Sequence, residues 1–498
     1  MPRGESRSAS SSRPKGSLER KGAALLKRLA KLGQEHVFKW RLELTEPQRA
    51  AFIAQLEAID LGELAGLMRL PEGISPHSDE SQIVPPPYVK LPRTEKERRQ
   101  AAAARSAGED ALRAGRIAII TVAGGQSARL RSDKPKGMIS AAPITGKTPF
   151  QMHAEKILAT SRRYGVVVPW AIMVSDATDN PTRVYFEQNR FFGLERENVI
   201  FFRQKTLPTL DFQRRLMLTE KDKIFQSPNG HGGTIRALWD EGVFAEFSRR
   251  GVQHVFYSQV DNPAVDIADP HFLGRHIQGQ SEMSLKVMKR RNAEEKLGVL
   301  VMLAGLAVPG SKAQTESNLR VIEYSDLPQE LKYARDEKGE LKFPIGSPAI
   351  HIFDLQFLGR LAREGVQFPY HIARKPRPCL DESGNQIWPK EPNGFKFEMF
   401  IFDALRWAAN PTLVEMDRVE EFAPIKNAEG EDSPETCRRI LSEKYARWLE
   451  LAGVKVPRDA NGNLRAALEI SPLFALDAEE LARKAPKDIK VGDRLLLN

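Results

Sequence analysis

Cysteines and long apolar runs are scarce in this sequence. The 498 residues include 2 cysteines, Cys379 and Cys437, and no C-x-x-C pair. This excludes a disulfide scaffold and a cysteine-based zinc site, and it favours a reducing cytoplasm. No run of about 18 uncharged apolar residues is present, which argues against a membrane-spanning helix. The first residues, MPRGESRSASSSRPKG, lack the apolar core of a signal peptide, so we expect a cytoplasmic protein with no membrane partner.

Most of the chain has little excess of either basic or acidic residues. The whole sequence has 75 basic and 65 acidic residues, which gives a net charge of +10. Residues 1–28 contain eight Lys or Arg and two Glu, so more than half of the excess lies in this Ser- and Arg-rich segment. We therefore predict a disordered basic tail over 1–28, with contact to an anion or RNA as the alternative. The remaining chain is nearly balanced in charge, and no nucleic-acid partner is expected for it.

Apolar spacing and proline content divide the sequence after residue 28. Apolar residues at three- and four-residue steps predict helical structure over 45–69, and a charged helix is predicted at about 94–114. The Pro-rich stretch 71–93 between them is typical of a surface linker. The predicted regions are an N-terminal helical region over 29–114, an α/β core over 115–408, and a small C-terminal domain over 409–498 that contains only short elements.

The central region alternates short apolar runs with helical stretches. Strands are predicted at 117–123, 166–174, 199–202 and 254–260, with helices at about 149–164, 180–190 and 233–249. Apolar strands separated by amphipathic helices are typical of a parallel sheet covered on both faces. The strand-rich block 284–358 has a more antiparallel pattern and is expected to form a substrate-covering subdomain beside that sheet. The predicted fold class is therefore α/β, with a doubly wound, Rossmann-like core and a mixed, mostly parallel sheet.

Two glycines directly follow the first predicted strand. In the run TVAGGQSARL, Gly124 and Gly125 stand where the strand ends, and Arg129 and then Lys136 follow. Glycine lets backbone N–H groups approach a phosphate closely, and ligands bind at the carboxyl ends of strands in open α/β sheets. The two cations can follow a polyphosphate. The segment therefore predicts a phosphate-binding loop, with a tight turn beside surface charges as the alternative. The later run AAPITGKT lacks the first glycine of a P-loop.

Two further segments carry candidate ligand groups. The run PNGHGG contains Gly230 and His231 and precedes a predicted helix, and its glycines allow the chain to lie flat against a base or a sugar. A surface turn with a helix cap is the alternative. Asp261 ends the apolar run YSQV, where a carboxylate can hold Mg²⁺ against phosphate oxygens or can simply cap the next turn.

Glycine, carboxylate and lysine recur along the later strand-like runs. Gly298 lies in LGV, Glu323 in VIEYS and Lys396 in NGFKFE. Glu323 can accept hydrogen bonds from sugar hydroxyl groups, and Lys396 can neutralise a phosphate. For each of these residues alone, an ordinary strand-edge position is the alternative.

Taken in order, these segments resemble the eukaryotic-type UDP-sugar pyrophosphorylase family, and most closely its UDP-N-acetylhexosamine pyrophosphorylase branch. The resemblance rests on LTEPQRAAFIAQLEAIDLGEL, GGQ-x-x-R-L…PKG, ENVIFFRQKTLPTLD, PNGHGG, QVDNPAVDIADPHFLG, VIEYSDL, NGFKFEMFIFDAL and FAPIKNAEG. It implies a doubly wound nucleotidyltransferase core, over 115–408, flanked by N- and C-terminal domains. The implied reaction is UTP + sugar 1-phosphate ⇌ UDP-sugar + pyrophosphate, with Mg²⁺ as cofactor. A sugar phosphate is already ionised at neutral pH, so the absence of an evident general base is expected.

The resemblance also implies a role for each matching residue. On the nucleotide side, Gly124 and Gly125 would contact the uridine nucleotide, Arg129 and Lys136 would hold the triphosphate, and Gln204 and Gly230 would flank uracil. Asp261 would bind the nucleotide and Mg²⁺. On the sugar side, the sugar would be lined by His231, Gly298, Glu323 and Ser347, and Lys396 would reach the sugar phosphate. The expected partners are UTP and a hexose 1-phosphate. A monomer or weak dimer is the expected oligomeric state.

Some positions differ from the family pattern. His231 stands where the N-acetylhexosamine branch typically has Asn and is similar to the glucose branch. Ser347 replaces the sugar-contacting Asn, and Ser127 and Ala128 replace Gly-Thr in the phosphate loop. The predicted product is UDP-N-acetylglucosamine. UDP-glucose is the alternative product, and a non-catalytic sugar-nucleotide-binding protein is a further alternative.

Overall fold

The computed structural model describes residues 15–71, 83–126, 128–304, 317–324, 326–486 and 489–498. The described helices are α1 Lys15–Ala30, α2 Glu46–Glu57, α3 Leu61–Arg69, α4 Glu95–Arg113, α5 Pro149–Tyr164, α6 Asp176–Gln188, α7 Thr234–Asp240, α8 Val243–Arg249, α9 Pro270–Gln278, α10 Gln329–Lys332, α11 Leu355–Arg363, α12 Arg418–Glu421, α13 Pro434–Leu451 and α14 Ala478–Lys484. The described strands are β1 Ile83–Val84, β2 Ile117–Val122, β3 Trp170–Val174, β4 Val199–Arg203, β5 Thr206–Pro208, β6 Leu210–Asp211, β7 Leu218–Glu220, β8 Lys223–Ile224, β9 Gln226–Pro228, β10 His254–Gln259, β11 Met283–Lys289, β12 Gly298–Leu303, β13 Leu319–Ile322, β14 Ile345–Ser347, β15 His351–Asp354, β16 His371–Lys375, β17 Cys379–Leu380, β18 Gln386–Ile387, β19 Gly394–Glu398, β20 Thr412–Glu415, β21 Ala467–Ile470 and β22 Arg494–Leu497. Among these residues, no helix is both long enough and apolar enough to cross a bilayer.

The chain forms two compact units, and neither is continuous in sequence. The smaller unit comprises Met1–Ile74, Thr206–Gly230 and Tyr370–Glu398, and the larger unit comprises Ser75–Lys205, His231–Pro369 and Met399–Asn498. The predicted core over 115–408 therefore gives two internal segments to the smaller unit. Local sequence patterns do not indicate this exchange, because it depends on contacts between distant parts of the chain.

The smaller unit packs three helices, α1 to α3, around a common core with a small antiparallel sheet of β16, β19 and β6. Helix α1 corrects the prediction for the N-terminus, since the part of the predicted tail from residue 15 to 28 is helical. Leu25 and Leu29 lie four residues apart on this helix, and both are buried in the core with Phe52 and Leu56 of α2. The predicted tail over residues 1–14 lies outside the described residues.

The larger unit contains an 11-stranded mixed sheet. Strands β4, β3, β2 and β10 pair in parallel, which confirms the predicted strand–helix alternation. Strand β15 then pairs antiparallel with β10 and with β11, and β14, β12, β13 and β1 continue the antiparallel part. The antiparallel block predicted as a separate subdomain therefore extends the same sheet. The predicted helix at 233–249 is two helices, because the chain turns at Gly242 with φ +75°.

Strand β2 shows why this sheet is buried on both faces. Its residues are almost all apolar and inaccessible to solvent. Ala118 and Ile120 join the core on one face, whereas Ile117 and Ile119 join the core on the other, as the two-residue period of a strand requires. Helices cover both faces, so a continuous apolar run was the correct signal for a central strand.

The C-terminal region differs from the prediction of short elements only. Helix α13 is 18 residues long and begins at a capping box on Ser433, with Pro434 in its first turn. Its residues Cys437, Leu441 and Tyr445 recur every fourth position and lie in a core shared with β21 and α14. Strand β20 pairs with β11, so the start of this region also belongs to the large sheet.

Candidate active site

The predicted phosphate loop lies where three neighbouring parallel strands end. Gly124 follows β2, Ser175 follows β3 and Gln204 follows β4. The Ser175 hydroxyl donates a hydrogen bond of 2.9 Å to the Gly124 carbonyl oxygen. A Cβ atom at Gly124 would lie 2.8 Å from the Gln204 Oε1 atom, so a larger residue here would displace the end of the Gln204 side chain. The structure thus brings two predicted nucleotide-binding residues together at the carboxyl edge of the sheet.

Gly125 and Lys136 lie on the two sides of the same loop. A short antiparallel bridge joins Gln126 to Pro135, and the Lys136 N–H group donates to the Gly125 carbonyl oxygen at 3.5 Å. Arg129 is exposed on a short 3-10 turn between them. Ser127, one of the family departures, lies outside the described residues.

Lys136 forms an ion pair with Asp261. The Lys136 Nζ atom lies 2.8 Å from the Asp261 Oδ2 atom, and Asp261 is 6% exposed. Burial raises the pKa of the Asp261 carboxyl group. The positive charges of Lys136, Lys426 and Arg129 all lower this pKa, and together they outweigh the effect of burial. The pKa is therefore lowered from its usual value, and Asp261 is a carboxylate at neutral pH.

Asp261 also lines a cavity of about 130 Å³ in the larger unit. The cavity is lined by His231, Ser258, Gln259, Asp261, Asn262, Lys296, Leu297, Gly298, Glu323, Ser347, Pro348, Ala349, Ile350, Phe402, Phe422, Pro424 and Lys426. The structure therefore brings the four predicted sugar-binding residues together and places them with the predicted metal ligand. Their order in the sequence gives no direct indication of this convergence.

Three antiparallel strands position the sugar-side residues. Gly298 of β12 pairs directly with Ser347 of β14, and Glu323 follows β13 on the other side of β12. A Cβ atom at Gly298 would lie 2.5 Å from the Val321 Cγ1 atom and 3.6 Å from the Glu323 Oε1 atom. Glycine at this position therefore leaves room for the Val321 side chain beside the Glu323 carboxylate.

The His231 ring is fixed by the segment that follows β19. It stacks on Phe400 with ring centroids 5.2 Å apart and meets the edge of Phe402 at 5.8 Å. The Ile401 N–H group donates to the His231 Nδ1 atom at 3.1 Å. This contact assigns Nδ1 as an acceptor, so the neutral ring carries its proton on Nε2.

Two predicted site residues, Gly230 and Lys396, belong to the smaller unit. Gly230 follows β9 and has a φ of +84°, a conformation that favours glycine. Lys396 lies on β19, and its Nζ atom donates to the Glu398 Oε1 atom at 2.6 Å. The other predicted site residues belong to the larger unit.

Sequence reasoning missed Lys426 as a candidate site residue. It lies in FAPIKNAEG, which carried part of the family resemblance, but the segment has no strand or glycine pattern that predicts a ligand site. The structure shows its relevance through the shared cavity and through its effect on the pKa of Asp261. A lysine placed by a loop becomes recognisable only when the neighbouring carboxylate is known.

Comparison with known proteins supplies the family. The chain matches the family described as UTP–glucose-1-phosphate uridylyltransferase over residues 73–443. The UDP-N-acetylhexosamine pyrophosphorylase-like protein 1 of Homo sapiens is 34% identical over 484 residues, which cover 91% of this chain and 93% of that protein. The UDP-N-acetylglucosamine pyrophosphorylase of Saccharomyces cerevisiae is 36% identical over 359 residues, which cover 70% of this chain and 73% of that protein.

A solved structure gives the same result. The crystal structure of the uridine diphosphate N-acetylglucosamine pyrophosphorylase from Trypanosoma brucei in complex with an inhibitor is similar, with a TM-score of 0.76 and 25% identity. The match covers 97% of this chain and 99% of that one. Sequence and fold therefore agree, and the resemblance drawn from the ordered segments is confirmed. The chain belongs to the UTP–glucose-1-phosphate uridylyltransferase family, which includes the UDP-sugar pyrophosphorylases.

Proposed function

We propose that this protein transfers the uridylyl group of UTP to N-acetylglucosamine 1-phosphate, making UDP-N-acetylglucosamine and pyrophosphate. The observation that carries this proposal is the position of Asp261. It pairs with Lys136 of the phosphate loop, and it also lines the cavity that contains Gly298 and Glu323. One carboxylate thus connects a group suited to a triphosphate with groups suited to a sugar.

The reaction joins two polyanions, and their mutual repulsion is the main electrostatic obstacle. A phosphate oxygen of the sugar 1-phosphate attacks the α-phosphorus of UTP and forms a new P–O bond. The bond from that phosphorus to the bridging oxygen of the β-phosphate breaks, and pyrophosphate leaves with the electron pair. In this proposal Arg129 and Lys136 hold the triphosphate, and Lys396 holds the sugar phosphate. Their charges act by positioning and by stabilising the transition state.

A magnesium ion fits the groups at Asp261. The described residues contain no cluster of three or more His, Cys, Asp or Glu side chains able to hold a metal. Magnesium does not require such a cluster, because it is commonly bound by one or two carboxylates together with substrate phosphates and water. The lowered pKa of Asp261 keeps its carboxylate available. We propose that Asp261 holds Mg²⁺, which would neutralise phosphate charge when bound.

The sugar is proposed from the relatives, since the names of those from Homo sapiens and Saccharomyces cerevisiae specify N-acetylhexosamine and N-acetylglucosamine. Glucose 1-phosphate is the second candidate. The family description names glucose 1-phosphate, and His231 fills a position where a smaller Asn is typical of the N-acetylhexosamine branch. The choice between the two sugars therefore depends on the space beside His231 and Ser347.

A sugar-nucleotide-binding protein without turnover is the third candidate. The Ser347 hydroxyl accepts a hydrogen bond of 3.3 Å from the Ala349 N–H group within its own turn. A serine in this position is shorter than the asparagine expected there and is engaged locally. This observation favours weaker contact with a sugar than the family pattern implies.

One experiment separates these candidates. The purified protein is incubated with UTP, Mg²⁺ and the 1-phosphates of N-acetylglucosamine, N-acetylgalactosamine, glucose and galactose in turn, and pyrophosphate release is measured. Release is expected, with N-acetylglucosamine 1-phosphate giving the highest kcat/KM. Faster release with glucose 1-phosphate would support the second candidate. UTP binding without release from any sugar phosphate would support the third, and EDTA provides the control for the metal.

The compartment and oligomeric state are proposed on simpler grounds. Cys379 and Cys437 are both free thiols, which suits a reducing cytoplasm. We propose a cytoplasmic enzyme that is a monomer or a weak dimer. Cell fractionation tests the first statement, and sedimentation over a range of protein concentrations tests the second.

A further inference from the structure

The cation Lys426 reaches the candidate active site on a segment without regular structure. Residues 422–426 follow α12 and belong to no helix or strand. Lys426 nevertheless lines the cavity together with Asp261, and its charge lowers the pKa of that carboxyl group. The Lys426 Nζ atom lies 3.6 Å from the Asp432 Oδ2 atom, and the Lys426 N–H group donates to the Asp432 carbonyl oxygen at 2.6 Å. The position of the ammonium group therefore depends on Asp432 and on the contacts that hold residues 422–426 against their other neighbours.

The Asn262 side chain makes two of these contacts. Its Nδ2 group donates to the Glu421 carbonyl oxygen at 2.7 Å, and its Oδ1 atom accepts from the Ala423 N–H group at 3.0 Å. Asn262 is buried, and it directly follows Asp261 in the chain. The Ile425 N–H group donates to the Asp261 carbonyl oxygen at 2.8 Å. The turn after β10 thus holds residues 421–425, which precede Lys426, through hydrogen bonds to their backbone groups.

That turn is itself fixed from the side of α5. The His153 Nε2 atom lies 3.2 Å from the Val260 carbonyl oxygen. The Lys156 Nζ group, three residues later on the helix, donates to the carbonyl oxygens of Pro263 and Val265, both at 2.6 Å. Because the turn is held on both sides of its centre, loss of its contacts to residues 421–425 would displace that segment rather than the turn.

We propose that Asn262 is a positioning residue, which places the Lys426 ammonium group beside Asp261 through its two hydrogen bonds to residues 421–423. This inference rests on the proposed function, in which the cations at this edge of the sheet assist transfer between phosphates. An error of about 1 Å in the position of a group that stabilises charge can cost a large part of its effect. Asn262 therefore acts on the reaction through Lys426.

A double-mutant cycle tests this assignment. Wild type, Asn262→Ala, Lys426→Ala and the double variant are compared by kcat/KM for pyrophosphate release. Asn262→Ala is expected to lower kcat/KM by about tenfold in the wild-type background but by less than about twofold when Lys426 is already Ala. An equal loss in both backgrounds would overturn the proposal, because a purely structural asparagine would act independently of Lys426.

Two further variants control for folding. Asn262→Asp keeps the volume and the acceptor for the Ala423 N–H group but directs a carboxylate oxygen at the Glu421 carbonyl oxygen. It replaces Asn262→Ala in the cycle if that variant does not fold, and the same lack of additivity is expected. Asn189→Ala removes a bond of 2.8 Å from a side-chain amide to the Tyr185 carbonyl oxygen on the protein surface. Added to the wild type or to Lys426→Ala, this control should leave the kcat/KM of the parent protein unchanged.

Failure of the proposed function would be seen separately. The same proteins are titrated with UTP, so coupling between the two positions is measured even without turnover. Coupled losses of UTP affinity would support the inference for a protein that only binds. A wild type that neither binds UTP nor releases pyrophosphate would overturn the proposed function and the inference together, whereas an active wild type with an additive cycle overturns the inference alone.

Discussion

The Lys136 ammonium group lies 2.8 Å from the Asp261 carboxylate, although 125 residues separate them in the chain. Lys136 belongs to the loop after β2, and Asp261 follows β10, which is the parallel neighbour of β2. Parallel neighbours end at the same edge of a sheet, so the two loops meet there. The pair places a cation and an ionised carboxylate at the edge where we propose that the triphosphate binds, and both charges are partly shielded from water.

Removing the cation should destabilise the protein in a pH-dependent way. Lys136→Met leaves the buried Asp261 carboxylate without its nearest counter-charge and is expected to cost roughly 2 kcal/mol at pH 7. The pKa of Asp261 is lowered in the folded state, so the stabilisation is present above the unfolded value, about 4, and is lost as the pH falls through the folded value. Urea unfolding at pH 7 and pH 3 should show the difference shrinking in acid.

The matched control for that prediction is Lys134→Met. Lys134 is exposed and lies two residues away in the same loop. The free energy of unfolding of Lys134→Met should stay within about 0.5 kcal/mol of that of the wild type at both pH values. The assignment of a stabilising Lys136–Asp261 ion pair would be wrong if Lys136→Met lost no more stability than this control. It would also be wrong if the loss in Lys136→Met did not change with pH.

Asp261 itself is expected to be needed for metal-dependent turnover. Asp261→Asn keeps the shape of the side chain but removes the charge that can hold Mg²⁺, so kcat should fall by about 100-fold or more. Pyrophosphate release is measured across a range of Mg²⁺ concentrations. Asp133→Asn, an exposed acid in the phosphate loop, is the control and should behave as the wild type. Near-normal rates for Asp261→Asn would refute the metal assignment.

The sequence predicted which residues gather at the carboxyl edge of the parallel strands because its signals there are local. Gly124 and Gly125 directly follow a buried apolar run, and Asp261 ends another, so the strand pattern alone predicts that they share an edge. Lys426 was missed since its place depends on hydrogen bonds from Asn262 to a segment about 160 residues later. The exchange of segments between the two units was missed for the same reason.

His231 offers a test of sugar selection. His231→Asn replaces a ring stacked on Phe400 by a smaller amide and should enlarge the space beside Ser347. The ratio of kcat/KM for N-acetylglucosamine 1-phosphate to that for glucose 1-phosphate is therefore expected to rise about tenfold, the scale of one lost or gained contact group in a pocket. An unchanged ratio, with both substrates affected equally, would exclude His231 as a selector.

Lys396 is expected to act on the sugar phosphate rather than on UTP. Lys396→Ala removes a cation that is paired with Glu398 on β19, and the KM for the sugar 1-phosphate should rise about tenfold or more. The KM for UTP should change by less than about twofold. Lys375→Ala removes an exposed lysine from the neighbouring strand β16 and serves as the control. An effect confined to UTP would show that Lys396 has been assigned to the wrong substrate.

Truncation at two points separates the basic N-terminus from the packed helix that follows it. Deleting residues 1–14 should leave activity unchanged and the unfolding free energy within about 0.5 kcal/mol, because the buried Leu25 and Leu29 remain. Deleting residues 1–28 removes most of α1, including Leu25, and should weaken the smaller unit by at least about 3 kcal/mol. Hydrogen exchange in α2 and α3 measures this locally, and Leu25→Ala should reproduce part of the loss. Activity lost with residues 1–14 alone would mean that the basic segment contributes to the reaction, since this deletion leaves the packed helix in place.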